Sequence, residues 1–495
     1  MLCVLLGVIT ATLLLFSIFI KNDTKNGKPL PPGPYRYPLV GNLVQLAMIN
    51  LKEPYRAFTI LSKKYGDIMS IQIGTTYAVV LNTPAIMEEY LSKPEFLDRY
   101  CNEYIQERTL NKRLGIIFAK YPDPWTTLRR FTLRGLKQFG FGKRNAMIST
   151  IQNELPDVVE ELKRSIKEGN GIHDFDGYFA LSFLNVLWTM LAGRRYKHSD
   201  PKLKGLIKSM RIMMATANAS SNILMAYPQM KDWFRDWTGL TMQQKGSDEM
   251  IAFAKEFIDD RKKLGLYKTN PENMVDEFLR EIDAHKGDED NVYTEEELVI
   301  LIVDFFLAGS DTTNNTLSYC VLLLMLNPWA QKRLQAEIDL IVPNGSFPTA
   351  EHESELHYVR ATIAETHRIS CVFPVMVPRA TVTDTQCGKY FIPKGTFIMA
   401  NIHGIHFNKS HWKDPDSFRP ERFLDDDGKF KSDDWLRPFG FGKRNCPGQA
   451  LASMSLFHYL IVLMQNFTFY LYPTSHSHRW NLSLGYQTDH NLSEP

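Results

Sequence analysis

Residues 439–448 of this 495-residue chain read FGFGKRNCPG and run directly into an apolar, helix-forming segment. The glycines near the start of this stretch predict a tight turn between aromatic side chains. Pro447 is favoured at the first position of a helix, which places Cys446 at or beside the N-cap. There the free N–H groups of Gly448 and Gln449, together with the helix dipole, stabilise a thiolate. The pattern favours a metal-bound sulfur, and a buried structural cysteine is the alternative.

The seven residues FGFGKRN also occur earlier in the chain, at positions 139–145. In this first copy Ala146 stands where the second copy has its cysteine, and the proline and glycine that follow are missing too. Alanine has no sulfur with which to bind a metal. We therefore interpret the first copy as a basic turn before a helix, and only residues 439–448 as a ligand loop.

The composition argues against several classes of function. The formal net charge is only +2, so nothing points to nucleic acid or to another polyanionic partner. The six cysteines are scattered along the chain without short-spaced pairs. That distribution argues against a disulfide framework or a zinc cluster, and it favours a reducing compartment.

The N-terminal segment differs from the rest of the chain. Residues 1–20 carry no charged side chain and are followed by lysines. About 20 apolar residues span a bilayer as a helix, and the lysines favour a cytoplasmic body. A cleaved signal peptide is the alternative, but the segment lacks a basic start and a small-residue cleavage site. We therefore expect a membrane anchor at 1–20, a polar, proline-rich hinge at 21–34 and a catalytic domain at 35–495.

The body of the chain is predicted to be mainly α-helical with small β-sheets. Residues 67–82 form two apolar, β-branched runs around a Gly-Thr turn, which predicts paired strands. From about 84 to 340 the apolar residues recur mostly at helical spacing. Short strands are expected again near 380–400, followed by a final helix at 447–466 and a β-rich tail at 467–472. No repeat or later linker is visible, so we predict one large domain.

The longest helical stretch begins with a capping box at Thr294 and Glu297 and runs to Asn327. Its middle, residues 308–313, reads AGSDTT. Glycine costs about 1 kcal/mol relative to alanine inside a helix, and Ser or Thr hydroxyls can bond to the carbonyl four residues earlier. One interpretation is a tolerated kink. The other is a local opening for a small ligand, beside an acid–alcohol pair that can relay protons.

With three further segments, these motifs resemble those of the cytochrome P450 superfamily, the haem-thiolate monooxygenases. FGFGKRNCPG is similar to the family's haem-binding signature, and AGSDTT to its oxygen-activating motif. The further segments are ETHR at 365–368, FRPERF at 418–423 and WTTLR at 125–129. The five motifs stand in the family's order and the likeness covers roughly residues 30–490. The anchor, the hinge and residues 128–144 resemble microsomal animal members, especially those of insects and other invertebrates.

The resemblance implies a P450 fold that binds haem b, with Cys446 as the axial ligand of the iron, since a thiolate favours O–O cleavage. Asp311 and Thr312 would deliver protons to the bound oxygen, and Gly309 would leave room for it. Guanidinium groups suit the two haem propionates. The residues that the resemblance assigns to haem binding are Trp125, Arg129, Arg99, Arg379, Arg444, Phe439 and Gly448. Glu365, Arg368 and Arg422 would form an ion-paired triad that holds the loop before the cysteine.

The implied activity is insertion of one oxygen atom from O2 into a lipophilic small molecule, such as a hormone, steroid, terpenoid, fatty acid or xenobiotic. A haem-thiolate isomerase or dehydratase is an alternative, although the Asp311–Thr312 pair argues against it. A non-catalytic haem sensor is another. The resemblance places the substrate pocket among segments 100–120, 205–230, 299–308 and 371–377 and near Leu484.

The chain has no P-loop, no dinucleotide-binding glycine motif after a strand and no iron–sulfur cysteine spacing. Electrons are therefore expected from NADPH through a separate NADPH–cytochrome P450 reductase, with cytochrome b5 as a possible second partner. The residues expected to form a basic docking face are Arg130, Arg134, Lys137, Lys143, Arg144 and Lys443. The resemblance implies the endoplasmic reticulum, or microsomal, membrane, with a single anchor and a cytoplasmic catalytic domain.

Overall fold

The computed structural model describes residues 24–25, 27–169, 175, 177–216 and 223–471. The expected anchor at 1–20 lies outside these residues, as does Leu484. Within the described ranges, none of the helices combines the length and the apolar character that crossing a membrane requires.

The described residues form a mainly helical body. The helices of the first half are α1 (Leu43–Ile49), α2 (Tyr55–Tyr65), α3 (Pro84–Leu91), α4 (Glu103–Glu107), α5 (Gly115–Phe118), α6 (Trp125–Gln138), α7 (Arg144–Gln152), α8 (Leu155–Glu168), α9 (Ala180–Ala192), α10 (Pro201–Thr216) and α11 (Ile223–Ala226). Those of the second half are α12 (Leu240–Leu264), α13 (Met274–Ala284), α14 (Glu295–Gly309), α15 (Asp311–Leu326), α16 (Pro328–Ile341), α17 (His352–Glu355), α18 (His357–Ser370), α19 (Ile402–His406), α20 (Lys409–Trp412) and α21 (Gln449–Asn466). Short 3-10 helices lie at Pro94–Phe96, Pro228–Met230, Leu266–Lys268, Pro420–Phe423 and Gly442–Arg444.

Small sheets lie beside the helices. The strands are β1 (Thr24–Lys25), β2 (Lys28–Pro29), β3 (Ile68–Ile73), β4 (Thr76–Leu81), β5 (Asp98–Arg99), β6 (Arg379–Ala380), β7 (Thr385–Cys387), β8 (Tyr390–Ile392) and β9 (Phe397–Ala400). The main sheet has the order β3-β4-β9-β6-β5, in which only the β4–β9 pair is parallel. Most side chains of β3, β4 and β9 are buried, which explains their apolar, β-branched sequences. The strands predicted within residues 67–82 and near 380–400 are thus confirmed.

The spacing of apolar residues explains the amphipathic helices. In α8 the buried residues Leu155, Val158, Leu162 and Ile166 recur every three to four positions, which is one face of a helix. Within the region predicted to be mostly helical, Asn153 and Glu154 lie outside the helices, so α7 and α8 are separate. Each can then bury its own apolar face in the main core.

The predicted β-rich tail is wrong for its described part. Residues 467–471 adopt no strand, because the side chain of Gln331 takes the role of a strand partner. Its Nε2 donates to the Phe469 carbonyl at 2.9 Å, and its Oε1 accepts the Phe469 N–H at 2.8 Å. Both backbone groups of Phe469 are therefore satisfied without a ladder.

Both copies of FGFGKRN place their two glycines at positive φ. Gly140 and Gly142 have φ of 102° and 80°, and Gly440 and Gly442 have φ of 83° and 61°. Positive φ favours glycine, so each copy turns at its glycines, although residues 442–444 then form a 3-10 helix and Arg144 begins an α-helix. The first copy joins α6 to α7, which confirms its interpretation as a turn.

The predicted triad holds the segment before the cysteine loop. Arg368 donates two hydrogen bonds to the Glu365 carboxylate, at 2.7 and 2.8 Å, and Arg422 donates one to the same carboxylate at 3.3 Å. The Arg419 N–H also donates to Glu365, at 3.0 Å. The Glu365 and Arg368 side chains are 0% exposed and that of Arg422 is 4% exposed. The prediction is confirmed, and α18 is thereby tied to the Pro420–Phe423 turn.

We expect Glu365→Gln to lower the free energy of unfolding by about 3–5 kcal/mol, because two buried guanidinium groups lose their counter-charge. Arg280→Gln is the matched control, since it removes only a half-exposed pair with Glu277 at 3.3 Å and should cost under about 1 kcal/mol. Urea unfolding followed by circular dichroism measures both. Equal losses in the two variants would contradict a special role for the triad.

Candidate active site

Cys446 lies two residues before Gly448, the N-cap of α21. Pro447 therefore precedes the helix and does not occupy its first position, which corrects the expected boundary: residues 447–448 form a turn. The N–H groups of Gly448 and Gln449 nonetheless act to lower the pKa of the Cys446 thiol, the direction that the sequence predicted. The Cys446 N–H donates to the Phe439 carbonyl at 3.0 Å, which closes the loop.

The Cys446 thiol is accessible although protein surrounds it. Cys446 is exposed, yet burial has the largest effect on its pKa and raises it. The N–H groups of Gly448 and Gln449 and the charge of Arg129 act in the opposite direction. An accessible sulfur beside such groups suits a ligand better than a core cysteine.

Helix α6 is joined to the cysteine loop by Arg129. Its guanidinium donates to the Asn445 carbonyl at 2.9 Å and to the Asn445 side-chain oxygen at 3.1 Å. One turn earlier, the ring of Trp125 lies 4.0 Å from the guanidinium carbon of Arg444. Phe439 packs edge-on against His367 with ring centroids 5.3 Å apart. The structure thus brings the WTTLR segment and FGFGKRNC into contact, as the sequence predicted.

The other three predicted arginines lie close to one another. Arg99 and Arg379 are directly opposite in the β5–β6 pair, and both lower the pKa of Arg444, although burial is the larger cause. Arg99 donates to carbonyls of Ile117 and Val377 at 3.1 and 2.7 Å. Arg379 donates to carbonyls of the segments beside it at 2.5 and 2.6 Å. Arg444 donates to four carbonyls, those of Leu97, Ile116, Ile117 and Ala119.

These arginines have too little negative charge around them. Among the residues that the structure describes, no carboxylate lies within 4.0 Å of Arg99, Arg129, Arg379 or Arg444, whereas the neighbouring Arg113 binds Asp98 at 2.6 Å. The Nε of Arg379 is buried and lacks a hydrogen-bond partner within the described part of the chain. Buried guanidinium groups without counter-charge are costly. A ligand with two carboxylates fits this surplus, and haem carries two propionates.

The AGSDTT segment breaks the long helix into two. α14 ends at Gly309 and α15 begins at Asp311, with Ser310 between them. The hydroxyl of Ser310 donates to the Phe306 carbonyl at 2.9 Å, and that of Thr312 to the Ala308 carbonyl at 2.8 Å. These are the bonds to carbonyls four residues back that the sequence suggested. Ala308 is exposed although residues 297–307 are buried, so the break opens onto a space inside the protein.

Asp311 and Gly309 lie on either side of this break. The Asp311 carboxylate accepts a hydrogen bond from the Asn315 side chain at 3.1 Å. A Cβ on Gly309 would lie 2.2 Å from Cδ2 of Leu187 in α9. Gly309 therefore allows the Leu187 side chain of α9 to pack closely against the long helix. Its expected role of leaving room for oxygen stays a prediction.

Glu297 and Asp304, to which the sequence analysis gave no role, hold the loop at residues 115–117. Glu297 accepts the Gly115 N–H at 2.8 Å, and Asp304 accepts the Ile117 N–H at 2.9 Å. Burial raises the pKa of Glu297 to about 7 and that of Asp304 to about 6. The predicted capping box forms in part. The Thr294 hydroxyl oxygen accepts the Glu297 N–H at 3.2 Å, whereas the Glu297 side chain binds Gly115 instead. The sequence pattern that could have identified this pair is the spacing of seven residues between the two acids, which places both side chains on one face of the helix.

The chain matches the family model described as Cytochrome P450 over residues 31–484. Similar animal proteins include Cytochrome P450 2L1 of Panulirus argus, 33% identical over 90% of this chain and 89% of that protein. Farnesoate epoxidase of Bombyx mori is 31% identical over 94% of this chain and 92% of that protein. Cytochrome P450 2J2 of Homo sapiens is 30% identical over 93% of this chain and 89% of that protein. The resemblance found in the motifs is confirmed, including its likeness to crustacean and insect members.

We expect Gly309→Ala to destabilise the protein by about 1–3 kcal/mol, because the added methyl group overpacks against Leu187. Gly205→Ala in α10 is the matched control, since a Cβ there meets nothing within 4 Å; it should stabilise the helix by about 0.5–1 kcal/mol. Combining Gly309→Ala with Leu187→Ala should cost less than the sum of the two single changes. Additive losses in urea unfolding would show that the two residues do not contact each other.

Proposed function

The chain belongs to the cytochrome P450 family of monooxygenases, and we propose that it inserts one oxygen atom from O2 into a lipophilic small molecule. The observation that carries the proposal is the accessible Cys446 thiol, which lies beside N–H donors in a loop that binds Arg129 and contains the buried Arg444, whose charge no described carboxylate pairs. When bound, haem with a cysteine thiolate ligand supplies the activation of molecular oxygen.

Cys446 would hold the iron, and the arginines would hold the propionates. Arg379 has the strongest case among them, because its buried Nε still has a donor to offer. Arg129 is accessible and already faces the cysteine loop. Arg444 is committed to backbone carbonyls, so we assign it mainly to positioning the loop beside the cofactor. Gly448 and Phe439 would support the sulfur through its backbone contacts.

Asp311 and Thr312 would move protons to the oxygen at the break between α14 and α15. The Thr312 hydroxyl donates to the Ala308 carbonyl, and its oxygen keeps a lone pair that can accept a hydrogen bond from a water molecule and so orient it. The Asp311 carboxylate is oriented by Asn315; it would take up a proton from solvent and, as the carboxylic acid, pass it to that water. The opening at Ala308 would give the substrate and oxygen access to this pair.

The substrate class follows from the walls of the pocket and from one relative. The described parts of segments 100–120 and 371–377 contribute Ile105, Phe118, Val375 and Val377 to an apolar cluster, which suits a lipophilic molecule. Farnesoate epoxidase of Bombyx mori is named for the oxidation of a terpenoid. We therefore favour hormone-like terpenoids and similar lipophiles, ahead of bulky polar xenobiotics.

Two alternative functions differ in what they need. A haem-thiolate isomerase or dehydratase, or a haem sensor, requires neither NADPH nor a proton-delivering pair. The Asp311–Thr312 pair at an opened helix favours the monooxygenase. Product formation that depends on NADPH, reductase and O2 would separate the three.

The carbon monoxide difference spectrum of the reduced, purified protein tests the ligand directly. We expect the strongly red-shifted band typical of a thiolate ligand in the wild type, and its loss in Cys446→Ala. Cys387→Ala is the control, because that buried cysteine lies in the β7–β8 hairpin and its loss should leave the band in place. A histidine-type band in wild type and Cys446→Ala alike would reject Cys446 as the ligand and the proposed function with it.

We further propose that the basic face receives electrons from the NADPH–cytochrome P450 reductase, with cytochrome b5 as a second donor. Arg130, Lys137, Lys143 and Lys443 are exposed and form no ion pair with any described residue. The other two residues of the predicted basic face form ion pairs: Arg134 binds Glu281 at 3.0 Å, and Arg144 binds Glu353 at 2.5 Å. Arg130 follows Arg129, which contacts the cysteine loop two positions after Lys443. An acidic partner on this face would therefore approach the sulfur side of the site.

We expect the charge reversals Arg130→Glu and Lys443→Glu, made together, to slow reductase-supported turnover at least tenfold at low salt, and less at high salt. Turnover driven by a peroxide, which bypasses the reductase, should be unchanged. Lys63→Glu on α2 is the control for net charge, since this exposed residue lies on another helix. Equal slowing by all reversals would exclude a specific docking face.

The membrane location is part of the proposal. The uncharged residues 1–20 and the lysines that follow favour an anchor in the endoplasmic reticulum membrane with a cytoplasmic domain. A lipophilic substrate and a membrane-bound reductase would both be concentrated there.

A further inference from the structure

A chain of hydrogen bonds runs from the start of α9 to Asp311. The Phe179 N–H donates to the side-chain oxygen of Asn314 at 3.0 Å. The side-chain nitrogen of Asn314 donates to the side-chain oxygen of Asn315 at 3.1 Å. The side-chain nitrogen of Asn315 then donates to Oδ2 of Asp311, also at 3.1 Å. Two carboxamides thus connect the backbone of one helix to the acid of another.

This chain has only one polarity. Phe179, the N-cap of α9, is buried, so its N–H needs an acceptor. Asn314 is 1% exposed and must turn its oxygen towards that N–H, which leaves its NH2 group facing Asn315. Asn315 must in turn present its oxygen to Asn314 and its NH2 group to Asp311. A backbone group of α9 therefore sets the orientation of both amides.

Helix α9 contacts the long helix on both sides of the break at Ser310. After the break, Phe179 binds Asn314. Before the break, the Leu187 side chain packs so closely on Gly309 that a Cβ there would lie 2.2 Å from it. Leu187 follows Phe179 by eight residues, a rise of roughly 12 Å along α9. The donor at the start of the chain is therefore fixed relative to Asp311.

The hydroxyl groups near Asp311 cannot replace this donor. Ser310, Thr312 and Thr316 each donate their hydroxyl proton to the carbonyl four residues earlier, at 2.8–2.9 Å. A hydroxyl has one proton to donate, so these three are committed to the backbone. Asparagine is one of the poorer helix formers, and two in succession inside α15 do not favour the helix. Their side chains are therefore better explained by the hydrogen bonds that they make.

The bond from Asn315 decides which oxygen of Asp311 can carry a proton. A carboxylic acid that accepts a hydrogen bond on one oxygen holds its own proton on the other, since two donors do not face each other. Because Asn315 donates to Oδ2, neutral Asp311 holds its proton on Oδ1. The same bond stabilises the carboxylate after this proton has left.

We propose that Asn315, oriented by Asn314 and the start of α9, is a positioning residue that makes Asp311 release its proton from Oδ1. The inference rests on the proposed function and deepens it. Oδ1 takes up a proton from solvent and passes it to the water held by Thr312. The electrons come from NADPH through the reductase. One oxygen atom of O2 enters the substrate, and the other leaves as water with the delivered protons.

The rate of NADPH consumption tests this role in the haem-loaded, full-length protein with reductase and with farnesol as a lipophilic probe. The rate is measured in H2O and in D2O, and Cys446→Ala gives the background of the reductase alone. We expect Asn315→Leu to slow consumption about tenfold, as for loss of a hydrogen bond to a charged group. The ratio of the rates in H2O and D2O should rise, because proton delivery then limits turnover. Asn315→Gln keeps a donor and should restore part of the rate.

Asn314→Asp tests the polarity of the chain. The new side chain still accepts the Phe179 N–H but has no donor for Asn315. The Asn315 amide then reverses and turns its oxygen towards Asp311. We expect a slower rate and a larger isotope ratio, as in Asn315→Leu. Unchanged values would show that Asp311 does not depend on α9, which contradicts the inference.

Asn327→Leu is the matched control. Asn327 is a half-buried asparagine at the other end of α15 that binds the Leu323 carbonyl at 2.8 Å, and its loss should change neither value. A slower rate with an unchanged isotope ratio in Asn315→Leu would show a merely structural role, and an unchanged rate would show no role. Either result overturns the inference while the wild type still consumes NADPH above the background. No consumption above the background in the wild type would instead overturn the proposed function.

Discussion

The guanidinium of Arg444 is the contact on which the rest of the site depends. It lies two residues before Cys446 and donates to the carbonyl of Leu97 and to three carbonyls of residues 116–119. The cysteine loop, the approach to β5 and the loop before α6 are therefore joined at one side chain. Trp125 covers this guanidinium from α6. Because the donors are rigid and coplanar, three segments distant in sequence are held in one relative position.

The arrangement leaves a surplus of positive charge that no carboxylate of the described residues neutralises and that a bound ligand with carboxylates would. Arg99 and Arg379 stand opposite each other in paired strands, where like charges are unfavourable. A fold that buries cations in this way is less stable without its cofactor than with it. This is the expected relation for a protein whose binding free energy for the cofactor contributes to the stability of the folded state. Arg99 and Arg379 of the main sheet and the loop that carries Cys446 would thus bind the same ligand.

The break in the long helix, between α14 and α15, has two structural causes. Gly309 permits α9 to approach through Leu187, and Ser310 and Thr312 redirect hydroxyl groups to backbone carbonyls. The break therefore follows from local chemistry and from a neighbouring helix at once. On the same helix, Glu297 and Asp304 hold the loop that leads to Phe118. The loop that leads to Phe118 is in this way positioned by the first half of the long helix, and Asp311 and Thr312 begin the second half.

The sequence by itself determined the mainly helical fold class, the glycine turns of FGFGKRN, the paired strands in residues 67–82 and the position of Cys446 beside the N–H groups of a helix start. These depend on short-range patterns: positive φ at glycine, alternation of apolar residues and N–H groups at a helix start. It also predicted the Glu365 triad and the candidate arginines, through motifs whose residues lie far apart. Only the tertiary structure decided which charges remain unpaired, because partners such as Asp98, Asn445 and Glu296 come from other segments. It likewise decided that Gln331 would satisfy Phe469 in place of a strand, and that Glu297 would bind Gly115 instead of completing its cap. Such choices depend on which donors and acceptors meet after folding, and no local pattern in the chain encodes them.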